Sequence, residues 1–308
     1  MHKSNLQICK FEKQKAENDG HQSGSNKIAT TQALGVGGQN CQAGHCDGIH
    51  KRSQENKLFS ENDKIPIWFC WFQGEEKMSE VSKICYNRLK EIISKDRFEI
   101  KFISFDNIKN YVRFPEFILR KLQVGHITYT HLSDHLRYYL LAKYGGFWVD
   151  STIFFTECDF EKISQLPFFT GKCPKIIKNE PGKCQSFNGL WYVNSQKVKM
   201  FFGILYELCL FYWLGHNKLL DYIIVDYIMN FEREIFPWAR EMFDDLEPNM
   251  DNIYDFDRNM NKTYSDDLYN DLFVVNYFQN LSNKHKYNKI DSTGNKTLHG
   301  YLCEKFLS

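Results

Sequence analysis

Asp134, Arg137 and Asp150 lie within one stretch, HLSDHLRYYLLAKYGGFWVDST, residues 131–152. Together they suit a ligand that carries a sugar on a diphosphate. A guanidinium neutralises phosphate or holds a sugar hydroxyl. One carboxylate accepts hydrogen bonds from sugar hydroxyls, and a second reaches a ribose or, through water, a divalent cation. The plainer reading is a structural ion pair, because residues three apart on a helix share one surface. Asp and Arg are almost never fully buried unless paired, so both readings require partners for these charges.

The elements that must position them follow from the surrounding pattern. Residues from about 131 to 144 predict a helix. Leu132, Leu136, Tyr139 and Leu140 form one apolar face, and Tyr138 and Leu141 lie beside the charges on the other. A helix apolar nearly all round is normally buried. Gly145 and Gly146 end it. FWVD then reads as a strand with Asp150 at its carboxyl end, and open α/β sheets bind ligands beyond such ends. Upstream, Ile65 to Phe72 predicts a buried first strand, residues 77–95 a helix, FEIKFIS a second strand and FPEFILRKLQVG a short helix closed by Gly125. Strand, helix, strand, helix favours a mainly parallel sheet. Downstream come two apolar patches, TIFFTE and LPFFTGK, a strand in SFNGLWYVNS and helices over 197–214 and 217–235. The tail from about 250 is rich in Asn, Asp and Lys, with one strand-like island, DLFVVNYF.

The chain has 308 residues, 43% hydrophobic and 16% aromatic, enough for one large α/β domain and too apolar for global disorder. Its 39 basic and 38 acidic residues leave a net charge of +1, which gives no reason to expect a nucleic-acid partner. The first twenty residues lack an apolar signal core, so the ten cysteines are expected to be reduced thiols in the cytoplasm. MFFGILYELCLFYWLG, residues 200–215, contains Glu207 and falls short of the ~20 residues that span a bilayer; it predicts a core helix. Residues 1–62 read as a flexible polar leader and 63–308 as the folded domain. In the leader, Cys41, His45, Cys46 and His50 are zinc-type ligands, but their spacing fits no standard finger, and an incidental cluster in a disordered tail is expected.

The central stretch resembles a glycosyltransferase signature. The closest resemblance is to the bacterial capsular polysaccharide synthesis protein family, which joins a strand of the form IWxxWxQG to HxSDxLRxxLLxxYGGxWxDxT. Here the first is IWFCWFQG, residues 67–74, and NYVRFPEF lies between the two. The resemblance covers residues from about 65 to at least 235, with some ten matched positions in the central motif.

The resemblance implies a glycosyltransferase A fold, a Rossmann-like α/β domain with a mainly parallel central sheet and extra C-terminal helices. It implies a hexosyltransferase-type enzyme that moves a sugar from a nucleotide diphosphate sugar to a hydroxyl of a capsular or lipopolysaccharide-type glycan, free or lipid-linked, with retention. Asp134 and Arg137 match the pair that binds the donor sugar and the ribose–phosphate region. Asp150 matches the first acid of the D-x-D motif and is the metal ligand. Tyr144, Gly145 and Gly146 match a turn beside the donor. Trp71 or Phe72 would lie near the base, with Trp68 left to the core. Asn188 would touch a sugar, and His285 and Lys286, with Lys289, would close over the phosphates; His299 is a weaker candidate. Thr152, a further donor-binding candidate, stands where the motif has its second Asp, and as a weak neutral ligand it argues against tight binding of Mn²⁺ or Mg²⁺. Asp221 and Asp226 have two readings, action near the acceptor or a structural role, and the structural role is the one expected. The implied location is the cytoplasm, with peripheral association at the inner membrane face. The rival reading is a non-catalytic nucleotide-sugar or glycan-binding protein in a polysaccharide assembly complex.

Overall fold

The apolar run after Lys64 forms strand β1, Ile65–Cys70, and FEIKFI forms β2, Phe98–Ile103. The computed structural model describes residues 57–172, 186–250, 252–273 and 277–308, all within one unit, Cys46–Ser308. Between β1 and β2 lies helix α1, Glu80–Ile92, capped by the Ser79 hydroxyl, which accepts from the Ser82 N–H. The short helix α2 is Glu116–Gln123, and Gly125 turns the chain at φ 76°. The predicted helix around Asp134 is α3, Tyr129–Tyr144, and strand β3 is Gly146–Val149. Strand β4, Ile153–Phe155, and helix α4, Phe160–Ser164, precede β5, Phe168–Lys172, and β6, Ser186–Val193.

The central sheet has the order β2-β1-β3-β6-β5. β1 pairs in parallel with β2 and β3, whereas β6 is antiparallel to both β3 and β5. Four strands therefore run one way and β6 runs against them. The sheet is mixed, but mainly parallel, as the strand–helix alternation predicts. Side chains alternate across it, so Phe147 and Val149 enter one apolar cluster and Trp148 the other. Phe147 stacks on its cross-strand partner Tyr192 with ring centroids 4.2 Å apart. On the Trp148 face, α3 packs against the long helix α5, Gln196–Gly215. α5 is long and apolar enough to cross a membrane by length and composition, yet Phe201, Phe202, Leu205 and Cys209 on it are buried in the core.

Two glycines at the start of β3 are packing requirements. Gly145 and Gly146 have φ of 71° and 85°. A methyl at Gly146 would lie 2.4 Å from the Pro66 carbonyl oxygen, and one at Gly145 would meet Leu58 at 2.6 Å. Only a residue without Cβ fits there.

Several boundaries differ from the sequence reading. The helix expected over 217–235 begins later: α6 is Ile224–Ile235. The Tyr212 hydroxyl donates to the Lys218 carbonyl and accepts from the Leu220 N–H, which holds the preceding segment out of helix. Pro237 opens helix α7, Pro237–Asp244. In the tail, α8 is Asp255–Asn259, α9 is Asp266–Phe273 and α10 is Leu298–Leu307. The island DLFVVNYF divides: its first three residues end α9, residues 274–276 lie outside the described residues, and Phe278 starts strand β7, Phe278–Asn280, which pairs with β4 in a separate two-stranded ribbon. The Cys41, His45, Cys46 and His50 cluster also lies outside the described residues. Of the segment read as leader, Lys57 bridges to Ser195, and the Leu58 and Phe59 N–H groups donate to the Asn194 side chain.

Glu232 on α6 is fully buried, and neither of its carboxylate oxygens meets a hydrogen-bond partner. Burial lifts its pKa to about 9. The folded state thus holds a proton that the unfolded chain releases near pH 4.5, so stability falls as pH rises from about 4.5 to about 9. At pH 7 the loss is of the order of 3 kcal/mol. Replacing Glu232 with Met should raise the urea midpoint strongly at pH 8 and much less at pH 5. An equal gain at both values would contradict this origin.

Candidate active site

The site forms where the carboxyl end of β3 meets the inner face of α3. The Thr128 hydroxyl caps α3 by accepting from the His131 N–H. From α3, Arg137 extends beneath the end of β3. Its Nη2 donates to Asp150 Oδ1 at 2.9 Å, and its Nη1 lies 3.3 Å from Asp134 Oδ1. The Arg137 side chain is 4% exposed, Asp134 19% and Asp150 35%. One buried cation therefore forms the floor, and two carboxylates reach from it towards solvent. The structure brings all three sequence-predicted charges together.

Asp150 is fixed on three sides. Its N–H donates to the Gly189 carbonyl at 2.8 Å, and its Oδ1 accepts from both Arg137 and Trp148 Nε1, the latter at 2.7 Å. The other oxygen, Oδ2, borders Gly189, where a methyl would approach it to 3.2 Å. A methyl there would also meet the Phe187 ring at 2.6 Å, so that ring packs over Gly189 beside the carboxylate.

Burial raises the Asp134 carboxyl to about 6, although Arg137 opposes the shift. Burial alone would lower Arg137, but Asp150 and Asp134 reverse that and hold the guanidinium charged. Asn188 joins a further carboxylate to the group. Its side-chain oxygen accepts from the Tyr138 hydroxyl at 3.2 Å and from Trp191 Nε1 at 3.3 Å, and its amide donates to Asp226 Oδ1 at 3.4 Å. Burial raises Asp226 to about 7, and Asp134 adds to the effect. That hydrogen bond ties Asp226 on α6 to Asn188 on β6 and so to the site. Asp221 is exposed in the segment before α6. Below Asp134 a small cavity is lined by His131, His135, Cys209 and Tyr222, with His131 Nε2 and His135 Nδ1 free of hydrogen-bond partners.

The remaining candidates are placed as follows. Tyr144, Gly145 and Gly146 sit at the amino end of β3, opposite Asp150. At ~3.3 Å per strand residue the separation exceeds ~10 Å. There the glycines admit Leu58 and Pro66, and the Tyr144 ring packs 5.5 Å from Trp68. Trp68 is core, as expected, with its Nε1 donating to the Gly145 carbonyl. Phe72 is buried under the exposed rings of Phe105 and Tyr129, so of the two base-platform candidates only Trp71 keeps partial exposure. Thr152 donates its hydroxyl to Asn280 Oδ1 at 3.0 Å, in the strand next to the basic segment. In that segment His285 is held by Asp257 at 2.9 Å, and the Lys286 carbonyl accepts from Asn261. Lys284, which the sequence reading passed over, lies 5.8 Å from the centre of the Tyr222 ring, and Tyr222 in turn feels the charges of Asp134 and Asp150. Lys289 pairs with Glu80, as does His299.

Arranged this way, the two partly exposed carboxylates can accept hydrogen bonds from a polyhydroxylated ligand. Asp150 Oδ2 is available to a hard cation, with Thr152 turned to Asn280. Comparison with known proteins adds the following. A family profile described as "Capsular polysaccharide synthesis protein" matches residues 44–302. Two crystal structures of the glycosyltransferase GlyE of Streptococcus pneumoniae TIGR4, one in the apo form, are similar at 12% sequence identity and a TM-score of 0.42. The similarity covers 80% of this chain and 61% of that one, so the chain spans about three fifths of that protein's length. No protein of curated function matches the chain.

Proposed function

We propose, from the premise that this chain belongs to the capsular polysaccharide synthesis protein family, that it is a glycosyltransferase using a nucleotide diphosphate sugar. The acceptor is a hydroxyl of a surface glycan, free or lipid-linked, and the enzyme is of the hexosyltransferase type. The observation that carries this reading is the Asp134–Arg137–Asp150 group, with its cation buried and both carboxylates partly open. Carboxylates at that depth bind sugar hydroxyls in competition with little water. A purely structural ion pair would gain nothing from leaving Asp150 as exposed as it is.

Each residue has a part in the scheme. Asp134 and Asp150 accept from donor hydroxyls, and Arg137 holds both carboxylates in place and keeps them ionised. Lys284, above Tyr222, is the cation best placed to meet the departing diphosphate. Asp226, with its proton leaving near pH 7, suits exchange with the acceptor hydroxyl. A Mn²⁺ or Mg²⁺ ion fits Asp150 Oδ2, with water and diphosphate oxygens completing its shell. Bound there, such an ion would supply Lewis-acid stabilisation of the leaving group. Retention of configuration is part of the proposal, as is location in the cytoplasm at the inner membrane face. The exposed Phe211 and Leu214 of α5 and Phe231 of α6 support the membrane association by offering an apolar surface.

A thermal-shift screen of nucleotide sugars, with and without Mn²⁺, tests the reading. Bound at 100 times its Kd, the correct donor stabilises the fold by ~3 kcal/mol through mass action. The expected result is a rise in Tm for one donor class, larger with Mn²⁺. No rise with any nucleotide sugar would contradict the proposal. Binding without release of nucleoside diphosphate in the presence of glycan acceptors would favour the rival, a non-catalytic binding protein.

A further inference from the structure

Away from the sugar site, three potential metal ligands converge where α1 meets α10. Glu80 opens α1, and His299 and Cys303 lie four residues apart on α10, on one face. One ligand atom from each lies within 4.8 Å of the others. His299 Nε2 is 3.3 Å from Glu80 Oε2 and 3.6 Å from Cys303 Sγ. The three donor atoms are close enough together to share one tetrahedral ion once the ring is turned. Bonds of about 2.0–2.1 Å to nitrogen and oxygen and about 2.3 Å to sulfur give edges of roughly 3.3 and 3.6 Å.

We propose that Glu80, His299 and Cys303 form a binding site for a borderline-soft divalent transition ion, with zinc the best match, and that water takes the fourth position. Thiolate and imidazole do not suit Mg²⁺ or Mn²⁺, so this site is distinct in chemistry from any cation at Asp150. His299 and Cys303 are 2% and 7% exposed, whereas the Glu80 side chain is 42% exposed, so the ion enters past Glu80. Sγ is also 3.8 Å from His299 Nδ1, which places the thiol against the ring. Capture therefore turns the imidazole about its Cβ–Cγ bond to aim Nε2 at the ion. Burial raises the Cys303 thiol to about 11 and lowers His299. Binding thus breaks the S–H bond, forms a sulfur–metal bond and releases the proton to solvent, so affinity rises with pH. Lys289, whose ammonium pairs with Glu80 Oε1, competes with the ion. Filling the site would fasten α10 to α1 and free Lys289 from Glu80.

The test is a Co²⁺ titration of the full chain in which Cys41 and Cys46 are Ser, which removes the other Cys–His cluster. The expected result is one equivalent of Co²⁺ bound with a thiolate-to-metal charge-transfer band that disappears in Cys303→Ser. Glu80→Gln, at an exposed position compatible with folding, should weaken binding by ~10-fold or more, and Lys289→Met should tighten it. Added Zn²⁺ should bleach the band by displacing Co²⁺. Absence of the band, its survival in Cys303→Ser, or a Kd unchanged in both Glu80→Gln and Lys289→Met would overturn the proposal.

Discussion

Asp150→Asn should lower the rate of nucleoside diphosphate release from the donor by ~10²–10³-fold, the loss typical when one preorganised electrostatic contact to a developing charge is removed. The replacement keeps the shape of the side chain. Its amide oxygen can still accept from Trp148 Nε1 and Arg137 Nη2, so the end of β3 should stay in place. What changes is the negative charge and Oδ2, the oxygen that the proposed cation would use. If Mn²⁺ stimulates the wild-type enzyme, the stimulation should vanish in the variant. A wild-type rate in Asp150→Asn would remove this carboxylate from the chemistry, and a collapsed Tm would show that its role is to hold Arg137.

Arg137→Met should act on both stability and activity. The guanidinium is almost fully buried between two carboxylates. Its loss leaves Asp134 and Asp150 facing each other without a cation. Breaking a buried pair in this way costs about 3–5 kcal/mol, and the low end applies because both carboxylates keep some water. Asp134, already raised to about 6, should climb further once Arg137 no longer opposes the shift. The penalty should therefore be larger at pH 8 than at pH 5, where protonation relieves the repulsion. Donor turnover should be undetectable at either pH. The double variant Arg137→Met/Asp150→Asn should regain part of the lost stability and none of the activity. Full stability in the single variant, measured by urea unfolding at pH 8, would mean that the ion pairs contribute little to the fold.

The charged trio was legible in the sequence because its spacing carries geometry. Three residues on a helix place Asp134 beside Arg137, and a strand that begins after a glycine pair delivers Asp150 to the sheet's carboxyl end. The same logic did not reveal that Tyr144, Gly145 and Gly146 lie at the other end of β3 from Asp150. Adjacency to Asp150 along the chain became distance in space, since an extended strand carries its two ends apart. The sequence offered Asp226 without its partner and gave no sign of Lys284, for the opposite reason. Their contacts, Asp226 with Asn188 and Lys284 with the Tyr222 ring, join segments far apart in sequence. No local pattern encodes those contacts. The reversed direction of β6 was hidden in the same way, because an apolar strand reads alike in both directions.

Calorimetric titration of the donor into the wild-type chain and into Asp134→Asn tests the central claim most directly. Asp134 shares the buried cation with Asp150, and the Asn variant keeps its volume and its place on α3. One equivalent of nucleotide diphosphate sugar should bind the wild type, with affinity at least ~10-fold weaker in the variant at unchanged Tm, equivalent to one lost charged hydrogen bond. Equal affinity in the two proteins would place the sugar elsewhere and contradict the account.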